Sequence, residues 1–337
     1  MELSLENISV AISGKEILNS IDLKVEDGAF ISLLGASGCG KSTLLKTIAG
    51  IIPQASGSVY LDGKCADRLP PHKRGTVIVF QDFRLFPHMT VAENIGFPLK
   101  MRGITRAEYL KTASELLEKV QLEGFEKRRP EEMSGGQIQR VALARALASK
   151  PNVLLLDEPF SSLDENLRQD MRVLVLKLHR EFKITTVLVT HNYQEALSMS
   201  DKIALMLEGR VLQYDTPERM FEAPVNREVA DFFGNAVYVD GTVTDNLFHS
   251  SIVTFRAEKE DGCYQAMFRN SAVHILPEGD KAFRIIEKNY RGEDYGILLE
   301  HKTGCRFNII KAAPCEYKKG DNVAVSLDTE GAVLFSA

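Results

Sequence analysis

The sequence predicts an α/β domain with a buried, mostly parallel sheet, interrupted by a helical insert and followed by a small all-β domain. Three observations carry this expectation. Through the first two thirds, short apolar runs (Phe30–Leu34, Val77–Phe80, Val153–Leu156 and Thr186–Val189) alternate with helix-patterned stretches. Continuous apolar runs of that length suit strands covered on both faces. Between the second and third runs, residues 90–150 read as helical. Thr90 and Glu93 fit a capping box, and Tyr109, Leu110, Ala113, Leu116, Leu117 and Val120 recur at helical spacing. From Ala236 the pattern changes to short β-rich runs, Val237–Val243, Ile252–Phe255, Ile297–Leu299, Phe307–Ile310 and Val323–Leu327, separated by Gly, Asp and Asn. They suit a small barrel or sandwich. A boundary at Phe233-Gly234-Asn235 divides the chain into residues 1–235 and 236–337, in keeping with a length of 337 residues.

Composition narrows the function classes. The formal net charge is -5, which speaks against a basic nucleic-acid-binding stripe. No uninterrupted apolar run reaches transmembrane length, and the start, Met1-Glu2-Leu3-Ser4, lacks the pattern of a signal peptide. A cytoplasmic location is expected. The cysteines Cys39, Cys65, Cys263, Cys305 and Cys315 are odd in number and form no CxxC pair, so a reducing compartment suits them better than a disulfide framework or a zinc site.

Two segments carry phosphate chemistry, the second only in company with the first, since an apolar strand ending in Asp-Glu is by itself more often a solvated strand end. Gly35-Ala36-Ser37-Gly38-Cys39-Gly40-Lys41-Ser42-Thr43 fits GxxxxGK[ST] between an apolar strand and a helical run. Glycines let the backbone curl its N–H groups toward phosphate oxygens, and the helix start adds a favourable dipole. Lys41 is expected to neutralise β/γ-phosphate charge and the Ser42 hydroxyl to ligate Mg2+. Within this loop Cys39 has two readings, a reactive thiol beside Lys41 or a small filler of the turn. The run Val153–Leu156 ends in Asp157-Glu158, at the carboxyl edge where open α/β sheets bind ligands. Asp157 is expected in the magnesium shell and Glu158 as the general base that polarises a water.

A third segment is a second glycine-rich helix start: Ser134-Gly135-Gly136-Gln137, followed by a basic helix to Arg145. With the phosphate loop and the Asp-Glu strand end, it resembles the signature motif of the ATP-binding cassette (ABC) family. The resemblance covers roughly residues 1–235 and implies a P-loop ABC ATPase core with an inserted helical subdomain. It implies that Ser134 and Gly136 contact the γ-phosphate of ATP held by a second copy. Gln81 then matches the glutamine that reaches Mg2+ and the attacking water. Ser161-Ser162-Leu163-Asp164 matches the loop that crosses the dimer interface, and His191 the switch histidine that contacts the γ-phosphate and orients the catalytic glutamate. One departure stands out: residues 1–29 contain no Phe, Tyr or Trp, so the family's adenine-stacking aromatic is missing and Ile12 sits nearest its place.

More distantly, the C-terminal part resembles the small OB-like (TOBE) regulatory domain of importer ATPases, through Lys319-Gly320-Asp321-Asn322-Val323 to Phe335 and the turn Asn289 to Gly292. Arg269-Asn270-Ser271 stands nearest the Arg-Pro-Glu often found there. The resemblance therefore implies an ATP-hydrolysing subunit, peripheral on the inner face of the cell membrane. Its expected partners are a second cassette, transmembrane permease subunits and a solute-binding protein. Phe83, Leu85, Phe86 and Met89 beside Gln81 are the candidate permease-docking surface, with ordinary core packing as their other reading. The rival function, a non-transport cassette ATPase acting on nucleic acid or ribosomes, would lead one to expect tandem cassettes or long coiled coils, and neither is visible.

Overall fold

A computed structural model describes residues 1–234, 236–276 and 278–336. The described chain separates into two compact units, Met1–Pro217 and Glu218–Ala337. The boundary expected at Phe233–Asn235 ends on Asn235, outside the described residues.

In the first unit the strands are β1 (Leu3–Ile12), β2 (Lys15–Val25), β3 (Phe30–Leu34), β4 (Ser56–Leu61), β5 (Lys64–Cys65), β6 (Thr76–Val79), β7 (Val153–Asp157), β8 (Thr185–Thr190), β9 (Lys202–Leu207) and β10 (Arg210–Asp215). The helices are α1 (Lys41–Ile48), α2 (Val91–Met101), α3 (Arg106–Lys119), α4 (Gly135–Ala148), α5 (Glu165–Phe182) and α6 (Tyr193–Met199). A six-stranded sheet runs in the order β10-β9-β3-β8-β7-β6. Its pairs from β9 to β6 are parallel, and β10 closes one edge antiparallel. Three of the apolar runs of the sequence are its inner strands β3, β8 and β7, and the fourth, Val77–Phe80, falls on the edge strand β6.

Because side chains alternate across a strand, this sheet feeds two cores. Leu154, Leu156, Phe30 and Leu188 face the helical insert and α5. Val153, Leu155, Ile31, Leu33, Val187 and Val189 face α1 and the second, antiparallel sheet β2-β1-β4-β5. Both faces are therefore dry, which explains the absence of polar alternation in these strands. The insert is built as its pattern predicts. Thr90 accepts from the Glu93 N–H while Glu93 accepts from the Thr90 N–H, and Ala113, Leu116, Leu117 and Val120 join Val91 and Ile95 in the core. Buried Asn94 braces the segment before α2: its Oδ1 accepts from the Phe86 N–H at 2.8 Å, and its Nδ2 donates to the carbonyls of Phe86, Met89 and Thr90.

The second unit contains α8 (Arg227–Phe232) and most of α7 (Pro217–Glu222). Its strands are β11 (Ala236–Thr244), β12 (Leu247–His249), β13 (Thr254–Arg256), β14 (Gly262–Arg269), β15 (Val273–Leu276), β16 (Phe283–Tyr290), β17 (Asp294–His301), β18 (Arg306–Ala312), β19 (Asn322–Leu327) and β20 (Val333–Ser336). They form two five-stranded sheets, β13-β12-β11-β14-β20 and β15-β19-β16-β17-β18. One core serves both: Val237, Phe248 and Phe268 from the first meet Ile285, Ile297, Phe307 and Val323 from the second. The expected turn at Asn289–Gly292 joins β16 to β17, with Gly292 at φ 100°.

One sequence expectation changes in this unit, and one residue gains a role. The run Ile252–Phe255 is a strand only from Thr254, because the Ser250 hydroxyl accepts from the Ile252 and Val253 N–H groups at 3.2 and 2.9 Å and holds them in a local turn. Arg269 is an internal brace: largely buried, it donates to the Phe221 carbonyl at 2.7 and 2.9 Å and to the Ala230 carbonyl at 3.0 Å. These bonds satisfy carbonyls at the ends of α7 and α8 and tie both helices to β14.

Candidate active site

The phosphate loop leaves β3 through Gly35, whose backbone (φ 154°) passes so close to β9 that a Cβ there would stand 2.2 Å from the Met206 carbonyl oxygen. Only glycine fits that approach. The loop ends at Gly40 (φ 105°), which precedes α1 and supplies no side-chain cap. The first N–H groups of α1 are thus left without the side-chain acceptor that most helix starts provide. Lys41 is 4% exposed, and its Nζ donates to the Gly35 and Ala36 carbonyls at 2.7 and 2.8 Å. A cavity of about 350 Å³ opens here, lined by Ile12, Ser37, Gly38, Gly40, Lys41, Ser42, Thr43, Ile17 and Glu158. Cys39 turns the other way. It is 8% exposed, joins the apolar core and lies 3.8 Å from the Lys41 Nζ, an environment that favours the filler reading over that of an accessible nucleophile.

Two carboxylates stand at the carboxyl end of the sheet, and one of them, Glu158, lines the cavity. The Ser42 hydroxyl donates to Asp157 Oδ1 at 2.7 Å, so α1 and β7 present two oxygens side by side. Glu158 follows in a left-handed conformation, φ 46°, which for a non-glycine residue costs about 1–3 kcal/mol. The strain is held in place by Glu158 N–H to the Val189 carbonyl (3.1 Å) and by its own carbonyl, which accepts from the Ser161 N–H (3.3 Å) and hydroxyl (3.0 Å). This turn aims the carboxylate away from the strand direction. Its Oε2 stands 3.4 Å from His191 Nδ1, at the end of β8.

Gln81, exposed after β6, donates its amide to the Ser161 hydroxyl at 3.0 Å, so it reaches Glu158 through one intermediate side chain. Asp164 caps α5 by accepting from the Leu167 N–H at 3.0 Å. Ser134 caps α4: its Oγ accepts from the Gln137 N–H at 3.4 Å and its N–H donates to Gln137 Oε1 at 3.0 Å. Gly136 fits because a Cβ would stand 2.5 Å from Leu167, whereas Gly135 borders open space. Within one chain, Lys41, Ser42, Asp157, Glu158 and His191 therefore converge, while Ser134 to Gln137 are absent from the lining of the Lys41 cavity.

Several residues at the site went unread in the sequence. Ile17, from β2, lines the cavity together with Ile12. Arg145 in α4 donates to the Phe83 and Arg84 carbonyls at 3.2 and 3.0 Å and shapes the segment after Gln81. A mainly apolar groove of about 430 Å³ follows, lined among others by Val77, Phe80, Phe83, Phe86 and Phe97. Of the four residues expected there, Phe83 and Phe86 line the groove, Leu85 packs on the core and Met89 is half-buried outside the lining.

Comparison with known proteins places this geometry. The family profile described as ABC transporter matches residues 18–161. The chain is 41% identical over 297 residues to the spermidine/putrescine import ATP-binding protein PotA of Thermotoga maritima, covering 87% of this chain and 80% of that protein. Among solved structures it resembles the ATP-binding cassette MJ0796, a dimeric post-hydrolysis state bound to ADP and Pi, at TM-score 0.58 and 32% identity over 64% of this chain and 98% of that one. It also resembles cbiO1 from Clostridium perfringens, part of the ABC transporter complex cbiONQ, at TM-score 0.61 and 30% identity over 64% of this chain and 89% of that one. The chain belongs to the ABC transporter family as one of its ATP-binding, ATP-hydrolysing subunits.

Proposed function

We propose that this subunit powers solute import through separate transmembrane subunits, with Glu158 as the general base of ATP hydrolysis. The observation that carries the reading is the convergence of the Lys41 loop, the Ser42–Asp157 pair and the Glu158–His191 pair on one edge of the parallel sheet. The N–H groups of residues 35–43 and the Lys41 ammonium meet the phosphates. Glu158 takes a proton from the attacking water, and His191 fixes the carboxylate and contacts the γ-phosphate. Gln81, tied to Ser161, stands ready to orient the same water.

The oxygens of Ser42 and Asp157, 2.7 Å apart, fit one edge of an octahedron of the size that Mg2+ requires, the remainder of its shell coming from water and phosphate. When bound, the ion would neutralise charge on the β- and γ-phosphates.

The signature Ser134–Gln137 completes the site from a second copy, because a γ-phosphate needs donors on all sides and one chain offers them on one side only. Closure of two cassettes around ATP is the stroke, passed to permease subunits through the groove beside Gln81. Complete importers of this kind also use a solute-binding protein. A place on the inner face of the membrane suits these partners, and among the described residues no helix is long and apolar enough to cross a membrane. The resemblance to PotA favours polyamines among the solute classes open to such subunits. Residues 236–337, the β part of the second unit, serve as an OB-like regulatory domain.

The test is Glu158→Gln, which keeps shape and removes the base. ATP binding is expected to persist while turnover falls by about two to four orders of magnitude. Near-parental turnover would end the assignment.

A further inference from the structure

Behind the Glu158–His191 pair lies a second, small polar cavity of about 60 Å³, lined by Glu158, His191, Thr190, Arg168 and Glu195 among others. Its floor holds a buried carboxylate, Glu195, that has no part in the proposed hydrolytic set. Glu195, in the first turn of α6, is 4% exposed. One of its oxygens accepts from the Thr190 hydroxyl at 2.6 Å. That hydroxyl in turn accepts from the Asn192 N–H at 3.0 Å, and the Asn192 side chain caps α6. The residues on both sides of His191 are therefore fixed by one carboxylate. Its other oxygen faces Arg168 Nε at 3.9 Å. Arg168 also donates to the carbonyls of Phe160 (3.4 Å) and Leu163 (3.0 Å), the loop that follows Glu158.

Burial raises the Glu195 carboxyl above its ordinary range, opposed by the Thr190 bond and by the charges of Arg172, Arg168 and His191. Desolvating a carboxylate here is costly, and an apolar residue would pack α6 at lower cost. What the carboxylate adds is a connection between the loop bearing His191 and the loop after Glu158.

We propose that Glu195 is a positioning residue for ATP hydrolysis, holding His191 through Thr190 and Asn192 and the 160–163 loop through Arg168, so that the Glu158–His191 pair keeps its spacing. The proposal rests on the assignment of that pair as the hydrolytic one. Its touch on the reaction is indirect, so its signature is a loss in kcat without a loss in nucleotide binding.

The experiment uses the full chain and Thr190→Val, which keeps volume and removes the hydroxyl that links Glu195 to His191. Turnover at saturating ATP is expected to fall about ten- to hundredfold, the scale of a small misplacement of reacting groups, with KM for ATP within about threefold. Thr190→Ser, which restores the hydroxyl, is expected to recover turnover to within about threefold of the parent. In a double-mutant cycle with His191→Ala, Thr190→Val should add nothing to the loss caused by His191→Ala, because both act through one group. Glu195→Gln retains an acceptor for Thr190 and loses the charge facing Arg168, so its turnover should lie between the parent and Thr190→Val. It gives an independent readout should the valine variant fail to fold. Parental turnover in Thr190→Val or Glu195→Gln, a failure of serine to rescue, or losses that multiply with His191→Ala would each overturn the proposal. Glu158→Gln, run alongside, separates the two claims. If it turns over normally the hydrolytic reading falls. If it is inactive while Thr190→Val and Glu195→Gln are normal, only the role of Glu195 falls.

Discussion

Two glycine-rich helix starts, both assigned to phosphate in the proposed function, are finished in opposite ways in this molecule. Helix α1 begins after Gly40 with no side-chain cap, in a cavity with a buried lysine. Helix α4 begins at Ser134 with a complete capping box, Ser134 and Gln137 satisfying each other's N–H groups. The first start leaves its donors for a ligand and depends on that ligand for their satisfaction. The second is stable by itself and presents Ser134 and the open side of Gly135 outward. On the proposed function, the difference teaches that a primary phosphate site is left uncapped, whereas a surface that engages ATP only on assembly is finished before its partner arrives.

The contrast can be broken by substitution. The largest effect is expected at the uncapped start. Lys41→Ala removes the only side-chain cation lining that cavity among the described residues and should lower turnover by about two to three orders of magnitude. ATP affinity, measured by titration of the isolated chain, should fall with it. At the capped start, binding and turnover should separate. Ser134→Ala loses a cap worth about 1 kcal/mol as well as the outward hydroxyl, whereas Ser134→Asn keeps a good cap and changes the ligand-facing group. The account expects lower turnover from both, unchanged ATP affinity in the isolated chain for both, and a lower melting temperature for alanine only. Equal melting temperatures with parental turnover in Ser134→Asn would mean that this start is structural.

The smallest effect concerns the other end of the nucleotide cavity. Ile12, 42% exposed, and Ile17 line the cavity; if the base lies against them, aliphatic groups recover only part of the about 1–3 kcal/mol that stacking supplies. Discrimination between ATP and GTP should be within about tenfold, which corresponds to about 1.4 kcal/mol. Ile12→Tyr should tighten ATP binding and leave saturated turnover unchanged, since uniform binding lowers KM alone. A hundredfold preference for ATP in the parent would sink this reading.

The parts of the fold legible in sequence were those whose physics is local. Phe30–Leu34 and Val153–Leu156 are continuous apolar runs because both sheet faces are covered, and Thr90 with Glu93 form a cap within four residues. The antiparallel sheet of β1 and β2 went unread for an equally physical reason. Leu3 and Leu5 face the core, then Asn7 (φ 52°) shifts the phase so that Ile8 and Val10 face it instead, and Ser20 (φ 48°) marks a second irregularity, in the partner strand between the Ile8–Ile21 and Val10–Leu18 pairs. A broken two-residue period does not look like a strand. Strands β14 and β20 were missed as well; β14 pairs with β11, and β20 with β14.

At the site, motif residues declared themselves by type and order: Lys41, Ser42, Asp157, Glu158 and His191 all meet. Glu195 did not, since nothing in Asn-Tyr-Gln-Glu-Ala distinguishes a solvated helix glutamate from one buried against Thr190 and Arg168. Ile17 was hidden by the unread β2. Cys39 was legible as a loop residue, but its inward direction depends on the path of Gly35 past Met206.

The central claim is that each hydrolytic site joins the Lys41 start of one chain to the Ser134 start of another. The direct measurement is the ATP turnover of two inactive variants, Lys41→Ala and Ser134→Arg, separately and as an equimolar mixture. In a mixed pair, one interface carries both lesions and the other carries neither. Random assortment into two-fold pairs then predicts recovery to about a quarter of the parental rate on mixing, with each variant alone inactive. A mixture as inactive as its components would contradict the account and place both helix starts at one site within a single chain.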